Sequence, residues 1–384
     1  MPNACQSCGQ CLSRCVYLKL SAAEAAAEMA ALDAGRSTPN IDARCMSCAA
    51  CDVFCPHGAE PYDRILRHFY GGYLRRGLPE RARYLLPTMP HSFREDLAAK
   101  LPADEQALVA QWAKNEPAGD VLYPGCNLLA CSYLTQSGAF DGLTVAGRLD
   151  LCCGEMYYRL GLFDFVQRIG ERLAEHYADK PIDRMVFVCP ACANMFGKIL
   201  PQKFGAGFGF ETVLYTDYLL AQIDAGKLPL RKTLTGEVVV HDSCHGRLGG
   251  DAVMDSPRRL LRRLGLTIVE AAHSRETGYC CGIAAGAPRQ SIADLVSAVG
   301  RVSVEYARAQ GDAVAAYCTG CALTLNTVPA TTGLGKPIRH VLDYVAEALG
   351  RPTPPRLAQR SRALIAGVLN NSVPKYLSLA RFWL

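Results

Sequence analysis

Two sets of five cysteines are the residues of this 384-residue chain whose types and spacing point most directly to chemistry. Each set has a lone cysteine, then two adjacent cysteines followed by glycine, then a Cys-x-x-Cys pair. The sets are Cys126, Cys152, Cys153, Cys189 and Cys192, and Cys244, Cys280, Cys281, Cys318 and Cys321. Five thiols are more than one tetrahedral zinc ion or one disulfide uses. The pattern therefore predicts a metal-sulfur cluster, built twice.

The composition favours thiolates on metal over disulfides. Half of the residues are apolar, so the chain is long enough for two or three domains with cores of their own. No secretory signal precedes Cys5, which indicates a reducing compartment for the 19 cysteines. No apolar run reaches the roughly 18 residues of a membrane span, and a net charge of +5 is too small to indicate nucleic-acid binding. We expect a cytoplasmic protein without a membrane span of its own.

Eight further cysteines near the amino terminus carry a second ligand pattern. They form two runs spaced C-x2-C-x2-C-x3-C, namely Cys5, Cys8, Cys11 and Cys15, and Cys45, Cys48, Cys51 and Cys55. This spacing resembles that of bacterial ferredoxins, in which the fourth cysteine of each run binds the other cluster. It predicts two cubane [4Fe-4S] clusters, one on Cys5, Cys8, Cys11 and Cys55, the other on Cys45, Cys48, Cys51 and Cys15. Zinc knuckles are the alternative, which the lack of histidines at ligand spacing disfavours.

Short apolar runs lead into the cysteines of both five-cysteine sets. Runs at 121–123, 185–188, 238–240 and 313–317 predict buried strands, and the patterns at 163–177 and 292–309 predict helices. Alternation of strand, cysteine loop and helix is typical of α/β domains, where ligands bind beyond the carboxyl ends of strands. We expect each set of five thiols to converge at such an edge.

Other signals divide the rest of the chain. Ser21 followed by Glu24 predicts a capping box that opens an Ala-rich helix ending near Gly35, and a helix is expected over 104–114. We expect a two-cluster module at 1–77, a connector at 78–118, similar α/β domains at 119–232 and 233–350, and a tail at 351–384. The apolar end of the tail is expected either to dock on its own chain or to meet another subunit.

The combination resembles the iron-sulfur subunits of heterodisulfide reductase, of the membrane-associated catalytic type that carries a ferredoxin part and two cysteine-cysteine-glycine (CCG) domains on one chain. Iron-sulfur subunits of anaerobic glycerol-3-phosphate dehydrogenase and glycolate oxidase share the layout. The resemblance covers residues 3–350. It implies an α-helical two-[4Fe-4S] ferredoxin-type module before two tandem α/β CCG domains. It also implies a noncubane [4Fe-4S] cluster on each five-cysteine set, with a disulfide reduced between them.

The first set departs from the family pattern. Only 25 residues separate Cys126 from Cys152, whereas 35 separate Cys244 from Cys280, and the longer interval resembles that of the family. Zinc in one of the two CCG domains is therefore kept as an alternative. Cys131 lies outside all motifs and is expected to be a buried core residue.

Protons for the reaction need a donor. His241 and His245 flank Cys244, and histidine exchanges protons near neutral pH, with His245 the better placed because it follows the ligand into the loop. Arg247 is expected to hold an anionic group of the substrate. The arginines at 258, 259, 262 and 263 are expected on a solvated helix face or at a partner contact, and Tyr157 and Tyr158 in the core.

Electrons must come from another protein, since no G-x-G-x-x-G motif follows a predicted strand. The resemblance implies a flavoprotein or a membrane cytochrome or quinone-linked subunit as partner. That partner would hold the chain peripherally on the inner face of the membrane. The acceptor is then a disulfide. The alternative is an electron-relay subunit of a dehydrogenase for glycerol 3-phosphate, glycolate or lactate that passes electrons to quinone.

Overall fold

Two four-stranded parallel sheets with the same strand order organise the fold. The computed structural model describes residues 4–283 and 291–384. Its strands are β1 Leu78–Pro79, β2 Gly119–Tyr123, β3 Thr144–Val145, β4 Ile182–Phe187, β5 Glu211–Leu214, β6 Glu237–His241, β7 Thr267–Val269, β8 Ala313–Ala316, β9 Ile338–His340 and β10 Arg381–Phe382. The orders are β3-β2-β4-β5 and β7-β6-β8-β9, and every neighbouring pair within these sheets is parallel. The expected mixed α/β class with parallel sheets is confirmed.

Helices surround both sheets and make up most of the amino-terminal segment. Before β2 they are α1 Gln10–Ser13, α2 Ala22–Asp33, α3 Pro39–Arg44, α4 Ala50–Phe54, α5 Pro61–Arg76, α6 Phe93–Ala99 and α7 Ala103–Trp112. Around the first sheet they are α8 Gly125–Leu129, α9 Glu155–Arg159, α10 Phe163–Tyr177, α11 Pro190–Asn194, α12 Leu200–Phe204 and α13 Tyr215–Asp224. Around the second sheet and in the tail they are α14 Cys244–Leu248, α15 Asp251–Arg263, α16 Ile292–Arg308, α17 Thr319–Leu325, α18 Thr327–Thr332, α19 Val341–Ala348 and α20 Leu357–Asn371.

Local sequence signals explain where these elements begin and end. The Ser21 hydroxyl accepts a hydrogen bond from the Glu24 amide while the Glu24 carboxylate accepts from the Ser21 amide, so the predicted capping box opens α2. The predicted strands overlap β2, β4, β6 and β8, with bounds that differ by at most three residues. The predicted helices at 163–177 and 292–309 correspond to α10 and α16. Tyr157 and Tyr158 are buried, as expected of core residues.

The arginine series on α15 does not lie on one solvated face, and that expectation was wrong for Arg258. This side chain is fully buried and binds the Asp242 carboxylate through both terminal nitrogens, at 2.7 Å each. It also donates to both carboxylate oxygens of Glu270. Arg259 and Arg263 do remain at the surface, where they pair with carboxylates of α13. Two acidic residues next to β6 and β7 stabilise the buried charge of Arg258, because a buried guanidinium needs anionic partners.

The end of the tail docks on the connector. β10 pairs with β1 in an antiparallel two-stranded sheet, with Phe382 opposite Leu78. Just before it, Leu377 and Leu379 are 92% and 91% exposed. The tail thus combines a docked strand with an unburied apolar stretch. In residues 4–283 and 291–384, none of the helices has the length and apolar character needed to cross a membrane.

Candidate metal centres

Strand ends bring each five-cysteine set together. Parallel strands end at a common edge of a sheet, so the loops that follow them meet there. In the first domain Cys126 follows β2, Cys152 and Cys153 follow β3, and Cys189 and Cys192 follow β4. In the second domain the same strand positions precede Cys244, Cys280, Cys281, Cys318 and Cys321. All ten side chains are buried.

Thiol contacts connect the first set. The Cys192 sulfur lies 3.4 Å from that of Cys153. Hydrogen bonds from Cys152 and Cys192 lower the pKa of Cys153 to about 6, despite its burial. Thiolate is the form of cysteine that binds metal, so this thiol is prepared for ligation.

The second set repeats the arrangement and touches the first. Hydrogen bonds from Cys280 and Cys321 lower the pKa of Cys281. Hydrogen bonds from Cys189 and Cys321 lower the pKa of Cys318 to about 5. The Cys189 and Cys318 sulfurs, one from each domain, are 3.8 Å apart. The two sites therefore face each other across the boundary between the domains.

The eight amino-terminal cysteines also lie close together. Burial raises the pKa of Cys15 to about 11, and the neighbouring Cys48 adds to the rise. Burial raises the pKa of Cys51, with Asp52, Cys11, Cys45 and Cys48 contributing. Burial raises the pKa of Cys11 to about 12, with further contributions from Cys55, Cys5 and Cys8. Electrostatic interactions therefore connect the two runs, since Cys11 interacts with Cys55 and with Cys51, and Cys15 interacts with Cys48.

The amino-terminal segment reaches the second site directly. Arg159 on α9 donates from Nη1 to the Ser47 carbonyl oxygen at 2.7 Å and from Nη2 to the Cys244 sulfur at 2.9 Å. The Tyr17 hydroxyl oxygen accepts from the Cys280 amide at 2.5 Å. Loops that carry Cys15 and Cys48 are thereby joined to loops that carry Cys244 and Cys280.

A family model described as a cysteine-rich domain, CCG, matches residues 139–197 and 238–326. The chain contains two CCG domains. The second match includes all five cysteines of its set, whereas the first begins after Cys126. The first match begins within the short interval between Cys126 and Cys152.

Three relatives carry redox names, and the chain is homologous to them. It is 27% identical over 326 residues to a subunit of the dihydromethanophenazine:CoB–CoM heterodisulfide reductase of Methanosarcina barkeri, covering 80% of this chain and 78% of the relative. It is 31% identical over 141 residues to the EtfAB:quinone oxidoreductase of Syntrophomonas wolfei, covering 36% of this chain and 19% of the relative. It is 32% identical over 146 residues to a probable iron-sulfur-binding oxidoreductase of Bacillus subtilis, covering 37% and 20%. The last two relatives are matched over only about one fifth of their length.

His245 lies at the boundary between the CCG domains. Its Nε2 is 2.7 Å from Oε1 of Glu155, which belongs to the first domain. The Asn194 amide nitrogen, also from the first domain, donates to the His245 carbonyl oxygen at 2.7 Å and lies 3.4 Å from Nδ1. Burial alone would raise the pKa of Glu155, but Arg159 and His245 outweigh it and lower the pKa to about 2. Glu155 is therefore a carboxylate that orients the imidazole.

Glu155 and Arg159 were not singled out from the sequence. They are four residues apart on α9, a spacing typical of a helical ion pair, and they directly follow the first CCG triplet. That position next to Gly154 was the available signal. Their partners in the second domain could not be read from it.

The other two predicted site residues are buried against thiols. Burial alone would lower the pKa of Arg247, but the neighbouring groups Cys48, Cys244, Tyr17 and Cys280 outweigh it and raise the pKa. This environment favours an interaction with sulfur over the substrate-anchoring role expected from the sequence. A ring nitrogen of His241 and the sulfurs of Cys281 and Cys321 all lie within 4.8 Å of one another. Burial lowers the pKa of His241 to about 4, which favours a neutral ring.

Proposed function

We propose that this chain is an iron-sulfur oxidoreductase subunit that reduces a disulfide with electrons received through its own amino-terminal module. The approach of Cys189 to Cys318 at 3.8 Å carries the proposal, because it brings two complete five-cysteine sets face to face. Reducing a disulfide takes two electrons and two protons and separates two sulfur atoms. A pair of adjacent metal-sulfur sites suits that reaction, whereas a simple relay needs no such pair.

The donor sets fit iron-sulfur clusters. Noncubane [4Fe-4S] clusters would be held by Cys126, Cys152, Cys153, Cys189 and Cys192, and by Cys244, Cys280, Cys281, Cys318 and Cys321. Cubane [4Fe-4S] clusters would be held by Cys5, Cys8, Cys11 and Cys55, and by Cys45, Cys48, Cys51 and Cys15. When bound, these groups supply one-electron transfer. The pKa values of Cys153, Cys281 and Cys318 are lowered, whereas those of the other seven thiols in the two sets are raised, and a bound metal would deprotonate them on ligation.

His245 supplies the proton in this proposal. Its Nε2 is hydrogen-bonded to the carboxylate of Glu155, which orients the ring. The ring directly follows Cys244 and is held at the boundary between the two CCG domains. A proton delivered there reaches the side of the second site that faces the first.

Electrons enter from a partner subunit. A flavoprotein, or a membrane cytochrome or quinone-linked subunit, is the partner class that the homology to a heterodisulfide reductase supports. Contact with such a partner would hold the chain in the cytoplasm or peripherally on the inner face of the membrane. The exposed Leu377 and Leu379 of the tail offer an apolar surface for this contact.

A relay to quinone is the second candidate. One relative is named for quinone reduction, and the first CCG match leaves out Cys126. If the first site held zinc, or bound its metal through fewer cysteines, the chain would conduct electrons from a dehydrogenase without cleaving a disulfide. The short interval after Cys126 is the feature that favours this candidate.

Metal analysis of the anaerobically purified chain separates the two candidates. Four clusters predict about sixteen irons per chain at four irons per cluster. Electron paramagnetic resonance and assays with reduced viologen against a disulfide or a quinone analogue complete the test. About eight irons with zinc present, together with quinone reduction alone, would contradict disulfide reduction and favour the relay.

A matched pair of cysteine variants gives this test its control. Cys153→Ser should lose about four irons, because it removes one ligand of the first set. Cys131→Ser should lose none, because Cys131 is fully buried in the core and lies outside the four motifs. Equal iron loss in both variants would mean that the loss reflects unfolding.

A further inference from the structure

One ring nitrogen of His241 is hydrogen-bonded, and among the described residues the other has no hydrogen-bond partner. The side chain ends β6 and is only 1% exposed. Its Nδ1 is hydrogen-bonded to the Tyr306 hydroxyl, and among the described residues its Nε2 has no partner. The sulfurs of Cys281 and Cys321 lie within 4.8 Å of a ring nitrogen of His241, and Nε2 is the nitrogen without a hydrogen-bond partner.

The Tyr306 hydroxyl fixes the tautomer of His241 if it donates to Nδ1. A phenol is both donor and acceptor, and the His241 ring is its hydrogen-bond partner within residues 4–283 and 291–384. When the phenol donates to Nδ1, the ring proton of a neutral imidazole resides on Nε2. Nε2–H is then a donor directed at the second site.

Arg247 presents two more donors to the same site. It is 2% exposed and donates from Nη1 to the Gly278 carbonyl oxygen. Its Nε and Nη2 have no acceptor in the part of the chain that the structure describes. A buried N–H group without an acceptor is destabilising, so an acceptor is expected nearby. The thiols of Cys48, Cys244 and Cys280 interact electrostatically with this guanidinium.

The first site has a different surrounding. Tyr123 occupies the position that corresponds to His241, since both residues end a strand three residues before the first cysteine of their set. The Tyr123 hydroxyl donates to the Leu151 carbonyl oxygen and is thereby committed elsewhere. Arg94 is the arginine that acts on Cys126; its Nη1 donates to the Leu85 carbonyl oxygen, and only its Nε is without an acceptor among the described residues. The second site has His241, Arg247 and Arg159 around it.

We infer that His241 and Arg247 donate N–H hydrogen bonds to sulfur at the second five-cysteine site and so give it a higher reduction potential than the first. Reduction adds one negative charge to a cluster, and N–H donors and cations stabilise that charge. Arg247 also interacts with Cys48, so a cluster held on that side would feel the same positive charge. An electron passed from that cluster to the second site would oxidise the one centre and reduce the other by one electron, with no proton transferred. The inference rests on the clusters of the proposed function.

Redox titration of the iron-loaded protein tests the histidine. His241→Leu should lower the midpoint potential of the second site, while His241→Gln, which retains an amide N–H donor at a similar reach, should restore most of it. Cys281→Ser identifies the resonance that belongs to the second site. Tyr123→Phe is the matched control in the first domain and should leave the second-site potential unchanged.

Deuterium exchange and an arginine variant give two further measurements. In D2O, electron-nuclear double resonance should detect an exchangeable deuteron near the second cluster that His241→Leu removes. Arg247→Met should lower the potentials of the second site and of the Cys48 cluster together. If His241→Leu loses iron, Tyr306→Phe tests the same hydrogen bond and should lower the second-site potential by a smaller amount.

Specific outcomes would overturn it. A strongly coupled nitrogen at the second cluster, lost in His241→Leu, would make His241 an iron ligand and not a donor. Unchanged potentials in His241→Leu or Tyr306→Phe with full iron content would remove the histidine from the tuning. Either result leaves the cluster count intact, so both differ from failure of the proposed function, which the iron analysis reports.

Discussion

His245 is held from both sides by residues of the other CCG domain. Its Nε2 contacts Glu155 at 2.7 Å, and Asn194 donates to its carbonyl oxygen at the same distance. The Glu155 carboxylate is in turn bound by Arg159, which also donates to Cys244. The carboxylate that orients His245 is therefore held by an arginine that also contacts the second five-cysteine site. The proposed proton donor and that site belong to one hydrogen-bonded group.

Replacing this histidine tests its role as proton donor. His245→Gln retains a side chain able to hydrogen-bond to Glu155 but cannot exchange a proton near neutral pH. We expect unchanged iron content and disulfide reduction slowed roughly 100-fold, within the range typical of general acid–base catalysis. His176→Gln, on α10 and away from the thiols, is the control. An unaffected rate in His245→Gln would remove the residue from the mechanism.

One buried guanidinium of helix α15 binds carboxylates at the ends of two strands of the second sheet. Arg258 reaches Asp242, which follows β6, and Glu270, which follows β7, so one side chain joins a helix to two strand ends. Asp242 also accepts from the Arg275 amide at 2.7 Å. Because Asp242 precedes Cys244 by two residues, this ion pair helps to position the loop that carries the cysteine.

Loss of the Arg258 charge should lower the free energy of unfolding. Arg258→Leu leaves Asp242 buried without its cation, and breaking a buried pair in this way costs about 3–5 kcal/mol. Arg263→Leu on the same helix removes a surface pair with Asp224, which contributes about 0–1 kcal/mol. Anaerobic urea unfolding followed by circular dichroism measures both free energies. Similar losses in the two variants would contradict the role given to the buried pair.

The amino-terminal module and the first CCG domain meet where helix α5 passes a glycine. Gly161 has φ +71°, and a Cβ placed there would collide with the Leu66 carbonyl oxygen and approach the Tyr70 nitrogen of α5 to 3.0 Å. Backbone-to-backbone contact of this kind leaves no flexible side chain to move aside. The position therefore requires glycine both for its left-handed conformation and for the close approach of α5.

Gly161→Ala should weaken the contact between the amino-terminal module and the first CCG domain and lower the free energy of unfolding. We expect a loss of about 1–3 kcal/mol beyond that of the control, because overpacking against backbone adds to the strain of the left-handed conformation. Gly205→Ala is the matched control, since Gly205 has φ +67° with nothing within 4 Å of the point where a Cβ would lie. Limited proteolysis should release the amino-terminal segment faster from Gly161→Ala than from Gly205→Ala. Equal release rates would mean that the contact with α5 does not hold the module.

The sequence by itself determined the elements and which of them carry cysteines. Hydrophobic runs predicted β2, β4, β6 and β8, and the capping box at Ser21 predicted the start of α2. These signals are local, since they depend on the alternation of apolar residues and on hydrogen bonds within one turn. Parallel topology then required the cysteine loops of each set to share one sheet edge.

Only the tertiary structure decided how the two sites meet and what surrounds them. The contact of Cys189 with Cys318 joins residues 129 positions apart, and that of Arg159 with Cys244 joins residues 85 apart. The burial of Arg258 likewise depends on Asp242 and Glu270, which no pattern within α15 reveals. Such contacts follow from how separate domains pack, and spacing within one segment carries no information about the neighbour across the interface. The cysteines could therefore be named from the sequence, whereas Glu155, Arg159 and the free nitrogen of His241 required the fold.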